Sequence, residues 1–246
     1  DDLLVKFSSV GTTETYRQID LHGWETATAN AVLMNVDHTQ VISAVDGGTV
    51  TNGEVEIFFP SNAFGEYDGE VTVTFTYFDP YEDNLLATPG DLSGLALADN
   101  NEAKSGTEPA SLVSYGMLNV QMSDQNGDHI QLEEGVAAGV TMPITNGDLA
   151  DTYHLSDGSE APTWHFDTQN GTWIETGVGV VSEDEDGDLT FTFNANEFSW
   201  WNCDQGYVPS CAYGRVTDII KFPVRSAEVV CQGALSTSIV TTAEAG

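Results

Sequence analysis

Two acidic turns carry the spacing closest to ligand chemistry. Asp184, Asp186 and Asp188 alternate around Gly187, and Asp124, Asn126 and Asp128 alternate around Gly127. Alternation gathers hard oxygen donors on one side of a turn, which suits Ca²⁺. Neither run has the bidentate glutamate that closes a helix-loop-helix calcium hand. Asn-Gly and Asp-Gly also serve hairpin turns without any metal. Calcium loop and solvated turn both stand as readings of each.

The other chemistry-bearing residues are scattered. Cys203, Cys211 and Cys231 cluster late and lack zinc-type C-x-x-C spacing. A Cys203–Cys211 or Cys203–Cys231 bridge fits a secreted chain, and three buried thiols fit equally. His22, His38, His129, His154 and His165 form neither H-x-H nor H-E-x-x-H. His165, between Trp164 and Phe166, reads as a packed or edge histidine. The chain has no Gly-x-Ser-x-Gly elbow and no phosphate-binding glycine loop. Trp24, Trp164, Trp173, Trp200 and Trp201 fit either a sugar-stacking platform or a sandwich core.

Composition limits what these residues can serve. Lys and Arg number 6 against 39 Asp and Glu, a formal net charge of −33. Such a surface repels nucleic acid and anionic lipid. With 40% apolar and 10% aromatic residues the chain is globular rather than a disordered acidic tail. It contains no apolar run of about 18 residues, so no membrane-inserted helix is expected. Asp1-Asp2-Leu3-Leu4 has no basic signal-peptide region.

The elements that must position these groups are strands. Val71, Val73, Phe75 and Tyr77 alternate with Thr72, Thr74 and Thr76, and 189–193 repeats the pattern. Residues 3–7, 55–59, 117–122 and 136–142 also read as strands. Turn signals fall between them at Asp46-Gly47-Gly48, Asp68-Gly69, Asn126-Gly127, Asn170-Gly171 and Asp186-Gly187. Helical periodicity is confined to a short turn at 146–152, and 80–108 reads as a long loop. The expected fold is all-β, with two β-sandwich domains.

Residues 41–204 resemble a repertoire found in secreted bacterial surface proteins and cartilage intermediate layer protein. The matching segments include Gly47-Gly48-Thr49-Val50, Phe59-Pro60-Ser61-Asn62, Thr88-Pro89-Gly90-Asp91, Trp164-His165-Phe166-Asp167 and Phe198-Ser199-Trp200-Trp201. In order they look like the all-β domain shared by zonula occludens proteins and netrin receptors. Some members of that wider group cleave their own backbone at His-Phe-Ser, the serine hydroxyl attacking the preceding carbonyl with help from the histidine. Here Glu197-Phe198-Ser199 stands at that place. The resemblance implies a vestigial motif, with Glu197 where the histidine would be.

The two ends resemble halves of a carboxypeptidase regulatory-like, transthyretin-like sandwich. Residues 213–246 look like its opening strands and 1–36 like its closing ones, around a central domain at 37–212. Half a sandwich exposes strand edges and an apolar face. Three explanations stand: the ends pair within one molecule, the chain is a segment of a longer protein, or one copy completes the next by strand addition. Leu3, Leu4, Val5, Phe7, Val216, Val224 and Val229 would then carry the assembly.

The sequence therefore predicts a non-enzymatic extracellular structural or adhesive module, possible as a filament subunit. Its partner is itself or neighbouring domains of the same protein. Calcium is the sole cofactor considered. The alternatives are a calcium- or glycan-binding surface domain, or a self-cleaving one.

Overall fold

The structure, a computed structural model, describes residues 2–21, 26–79, 85–97, 110–145, 150, 154–184, 186–207, 215–232 and 237–241. It is nearly all β, as the alternation predicts. In chain order the strands are β1 (Asp2–Phe7), β2 (Thr15–Asp20), β3 (His38–Ser43), β4 (Gly48–Asn52), β5 (Val55–Phe59) and β6 (Glu70–Phe78). A 3-10 turn at Leu85–Ala87 and the short β7 (Ser93–Leu95) precede β8 (Ala110–Ser123). Then come β9 (Ala138–Pro143), β10 (Glu160–Asp167), β11 (Thr172–Glu183), β12 (Leu189–Ala195), β13 (Trp200–Tyr207), β14 (Glu228–Gln232) and β15 (Thr237–Thr241). Residues Asp1–Val208 form one compact unit and Pro209–Gly246 a second.

In the first unit, 11 strands make one sheet in the order β3-β6-β8-β13-β10-β11-β12-β9-β5-β4, with β7 against β11 and β8. The path begins and ends on β3 and β4, which are consecutive in the chain. A tight turn joins them, with Gly47 N–H donating to the Ser43 carbonyl at 2.9 Å. Gly47 has φ +70°, and a Cβ there would stand 2.3 Å from the Phe59 carbonyl oxygen. Glycine is thus demanded by this turn itself.

Apolar residues divide between two cores. The larger gathers Ile57, Phe59, Val73, Val140, Phe191 and Trp201; the smaller gathers Tyr16, Phe78, Trp164, Phe166, Trp173 and Trp200. Neighbours Trp200 and Trp201 enter opposite cores, because successive side chains of a strand point to opposite faces. Strands β6, β8, β13 and β10 therefore run between two apolar layers, whereas β5 and β12 alternate buried with exposed. All four described tryptophans are buried at 1% exposure or less, so they are core and not a sugar platform. Trp24 and His22 lie outside the described residues.

The β1–β2 pair docks on the smaller core. Tyr16 packs on Phe166 with ring centroids 5.5 Å apart and the rings tilted by 40°, and Leu4 packs against the same core. Thr15 Oγ1 donates to the Thr88 carbonyl, Gly90 N–H to the Tyr16 carbonyl and Trp200 Nε1 to the Glu14 carbonyl. The segment 1–36, set apart from 37–212 in the sequence reading, shares one compact unit with it, and that unit ends at Val208. Leu3 is exposed, while Leu4, Val5 and Phe7 are half-buried.

The second unit has β14 and β15 as an antiparallel pair. Before them, Asp218 Oδ1 accepts the N–H groups of Ile220 and Phe222 in a tight turn. Ile219, Ile220, Phe222 and Val224 are exposed, and Val216 and Val229 are half-buried. The helical turn expected at 146–152 lies outside the described residues except for Ala150, as do 80–84 and 98–108 of the expected loop.

Candidate functional site

The β10–β13 pairing sets His165 opposite Trp201, with the two rings 4.9 Å apart between centroids. Ser199, one residue before β13, then places Oγ 2.8 Å from His165 Nε2. The same hydroxyl lies 2.9 Å from the Phe166 carbonyl, to which it donates. Behind the imidazole, Glu197 Oε1 stands 3.3 Å from His165 Nδ1. A hydroxyl, an imidazole and a carboxylate thus stand in a row.

The backbone around the serine is held tightly. Gln131 acts like a strand partner for Phe198: its Nε2 donates to the Phe198 carbonyl at 2.7 Å, and its Oε1 accepts Phe198 N–H at 2.8 Å. Val120 N–H and Asn119 Nδ2 both donate to the Ser199 carbonyl. His165, Glu197 and Ser199 line a cavity of about 570 Å³, together with Lys6, Asn119, Gln121 and Gln131 among others. Lys6 is tied to Glu14 at 2.6 Å.

Burial pushes the His165 imidazole down to about 4, with Asp167 pulling weakly the other way. The ring is therefore neutral at pH 7. With the Ser199 hydroxyl donating to the Phe166 carbonyl, Nε2–H donates to Oγ; with the proton on Nδ1, beside Glu197, the Nε2 lone pair receives the hydroxyl once it turns from that carbonyl. Burial, and then Asp167, raise Glu197 above the ordinary carboxylate range. A neutral imidazole beside a hydroxyl can accept its proton, which is the requirement for an activated serine.

Glu197, Phe198 and Ser199 were expected as a vestigial motif with the glutamate in the histidine's place. The structure puts His165 beside Ser199 and Glu197 behind it. The sequence reading of His165 as packed accounts for its 7% exposure and misses its partner. The missing signal is the pairing of β10 with β13, which joins residues 34 apart.

The acidic turns separate. Asp184 Oδ1 accepts the N–H groups of Asp186 and Asp188. Carboxylate oxygens of Asp184 and Asp188 lie within 4.8 Å of one another and of Glu54, from the β4–β5 turn. Glu54 was invisible to the local spacing, and Asp186 is not part of this trio. At the other turn, Asp124 Oδ1 accepts Asn126 and Asp128 N–H groups, and Asn126 Nδ2 donates to Oδ2. These bonds, led by that from Asp128, hold Asp124 below the usual carboxylate range. Among the described residues, only the Glu54 group has metal-site spacing.

Cys203 is a free, buried cysteine, and burial raises its thiol well above the usual value. Cys211 and the side chain of Cys231, its expected bridge partners, lie outside what is described. Beside it, Asp204 is fully buried and accepts from Asn202 Nδ2 at 2.8 Å. Its other oxygen, Oδ1, is buried without a partner among the described residues. Burial raises this carboxyl well above its usual range.

Residues 91–204, a little under half of the chain, match the family described as FAM171A1/A2/B, N-terminal. No solved structure matches the chain. The match corrects the resemblance to bacterial surface, cartilage intermediate layer and zonula occludens–netrin receptor domains, and the carboxypeptidase regulatory-like reading of the ends falls with it. The quoted motifs misled because each satisfies a local demand. Gly47 is fixed by its turn, and Trp164 and Trp200 by their core, whatever the family. Among the described residues no helix is long and apolar enough to cross a membrane.

Proposed function

We propose that the chain is an extracellular structural and adhesive module that assembles head-to-tail, the second unit of one copy extending the β1 edge of the next. The observation that carries this is the composition of the second unit. Its described strands are two, and Ile219, Ile220 and Phe222 stand in solvent at 101%, 68% and 65% exposure. An isolated two-stranded pair is marginal in water, so a third strand from elsewhere would stabilise it. The acceptor is an edge: among the described residues the β1 backbone pairs with β2 alone, and its Leu3 is 47% exposed. Because Leu4 is committed to the smaller core, the addition is edge-to-edge and not the surrender of a free strand. The net charge of −33 suits an aqueous setting and argues against nucleic acid.

Sedimentation velocity over a concentration series tests this. The full chain is expected to form a ladder of oligomers, lost on removal of 209–246 and weakened by Leu3→Lys, since an edge lysine opposes pairing. A full chain that stays monomeric at every concentration refutes it. Calcium at Glu54, Asp184 and Asp188 is a companion proposal, tested by a calcium-dependent rise in Tm that Glu54→Ala removes.

A second reading is favoured by one observation, Ser199 Oγ against His165 Nε2 with Gln131 Nε2 on the Phe198 carbonyl. It is self-cleavage at Phe198–Ser199. Ser199 Oγ would attack the Phe198 carbonyl carbon, transfer the acyl group from nitrogen to oxygen, and release it to water. Neither residue has a positive φ, so left-handed backbone strain does not assist. Intact-mass measurement decides it: a fragment beginning at Ser199 supports cleavage, and a persistently whole chain excludes it.

A further inference from the structure

The hydroxyl of Ser199 faces a cavity as well as its own backbone. We infer that Ser199 is the nucleophile of an acyl-transfer site that takes short acyl esters of polar, uncharged alcohols. The inference goes beyond the assembly reading and does not depend on it.

Three observations carry it. The row Ser199 Oγ–His165 Nε2 at 2.8 Å and His165 Nδ1–Glu197 Oε1 at 3.3 Å supplies nucleophile, base and orienting carboxylate. All three residues line one cavity of about 570 Å³, a volume that holds a small organic ligand. The cavity wall carries side-chain amides. Asn119 Nδ2 donates to the Ser199 carbonyl and Gln121 Nε2 to Asn119 Oδ1, each using one N–H among the described residues. The second N–H of each can meet an ester oxygen or a hydroxyl. The chain's net charge of −33 disfavours anionic esters such as phosphates.

The step balances with water as the second substrate. The Ser199 hydroxyl turns from the Phe166 carbonyl and gives its proton to His165 Nε2 as Oγ bonds to the acyl carbon. The bond from that carbon to the alcohol oxygen breaks, and the alcohol leaves with the proton from His165. Water then gives a proton to Nε2 and its oxygen to the acyl carbon. The carboxylic acid departs, and Oγ recovers the proton.

The test uses the full chain, a biotinylated fluorophosphonate and p-nitrophenyl acetate. The fluorophosphonate is expected to label Ser199, identified by peptide mass on an otherwise intact chain. Self-cleavage would instead split the chain at the same residue, so the two readings fail separately. Ser199→Ala should lose the label and the esterase rate, and His165→Gln should slow both by about 10²-fold or more. Ser199→Cys gives a second reading of the site, with iodoacetamide alkylating it faster when His165 is present. Absence of label at Ser199 in the wild type, or equal rates in wild type and Ser199→Ala, overturns the inference. So does alkylation of the cysteine variant that is indifferent to His165.

Discussion

His165 gives the sharpest quantitative prediction. In the folded chain its imidazole is held at about 4, against 6.5 when free. The unfolded chain therefore takes up a proton below pH 6.5 that the native chain refuses until about 4. Its contribution to stability is complete above pH 6.5 and is lost as the pH falls toward 4. At about 1.4 kcal/mol per tenfold in proton affinity, the loss across that window is about 3 kcal/mol. Urea unfolding of the wild type and His165→Gln at pH 7, 6, 5 and 4 isolates it, because the many carboxylates titrate in both. The stability of the wild type relative to the variant should fall by about 3 kcal/mol from pH 7 to pH 4. A constant difference would show that burial does not govern the ring. A difference growing in favour of the wild type would show that Glu197 holds an imidazolium, reversing the sign and removing the base from Ser199.

Three further outcomes are expected. Asp204→Asn should raise Tm at pH 7 and flatten the decline in stability above the ordinary carboxylate range, because the raised Asp204 carboxyl keeps a proton in the native state that the unfolded chain gives up. Gly94→Ala should destabilise by about 1–3 kcal/mol through overpacking, measured by urea denaturation. A Cβ at Gly94 would stand 2.7 Å from Trp164 Cζ3 and 3.1 Å from Trp173 Cβ. Trp173→Ala should cost about 3–5 kcal/mol by the same assay, since it empties a wholly buried site in the smaller core.

The legible parts of the sequence were those where one strand face meets solvent. In β12, Phe191 and Phe193 are buried and Thr192 is exposed, as alternation predicts. The glycines of the expected turns at 47, 127, 171 and 187 all have positive φ. Alternation fails where both faces are covered. In β6 it holds through Val71, Val73 and Phe75, then Thr76 is buried and Phe78 enters the second core. The candidate site sits on these doubly covered strands, which is why it was only partly readable. Ser199 and Glu197 were visible as a local motif. His165 and Gln131 join them through pairings of distant segments, and one-dimensional spacing carries no trace of those. Glu54 was missed for the same reason.

The place of β13 in the sheet also sets a clock. It is the last strand of the first unit in the chain and lies between β8 and β10. As synthesis runs from the N-terminus, β8 and β10 must wait with open edges until residue 207 has emerged. Pairings between distant segments form slowly, and such edges are where half-made sheets aggregate. The serine and its histidine meet only when that final strand slides home, so any chemistry at Ser199 reports a completed fold.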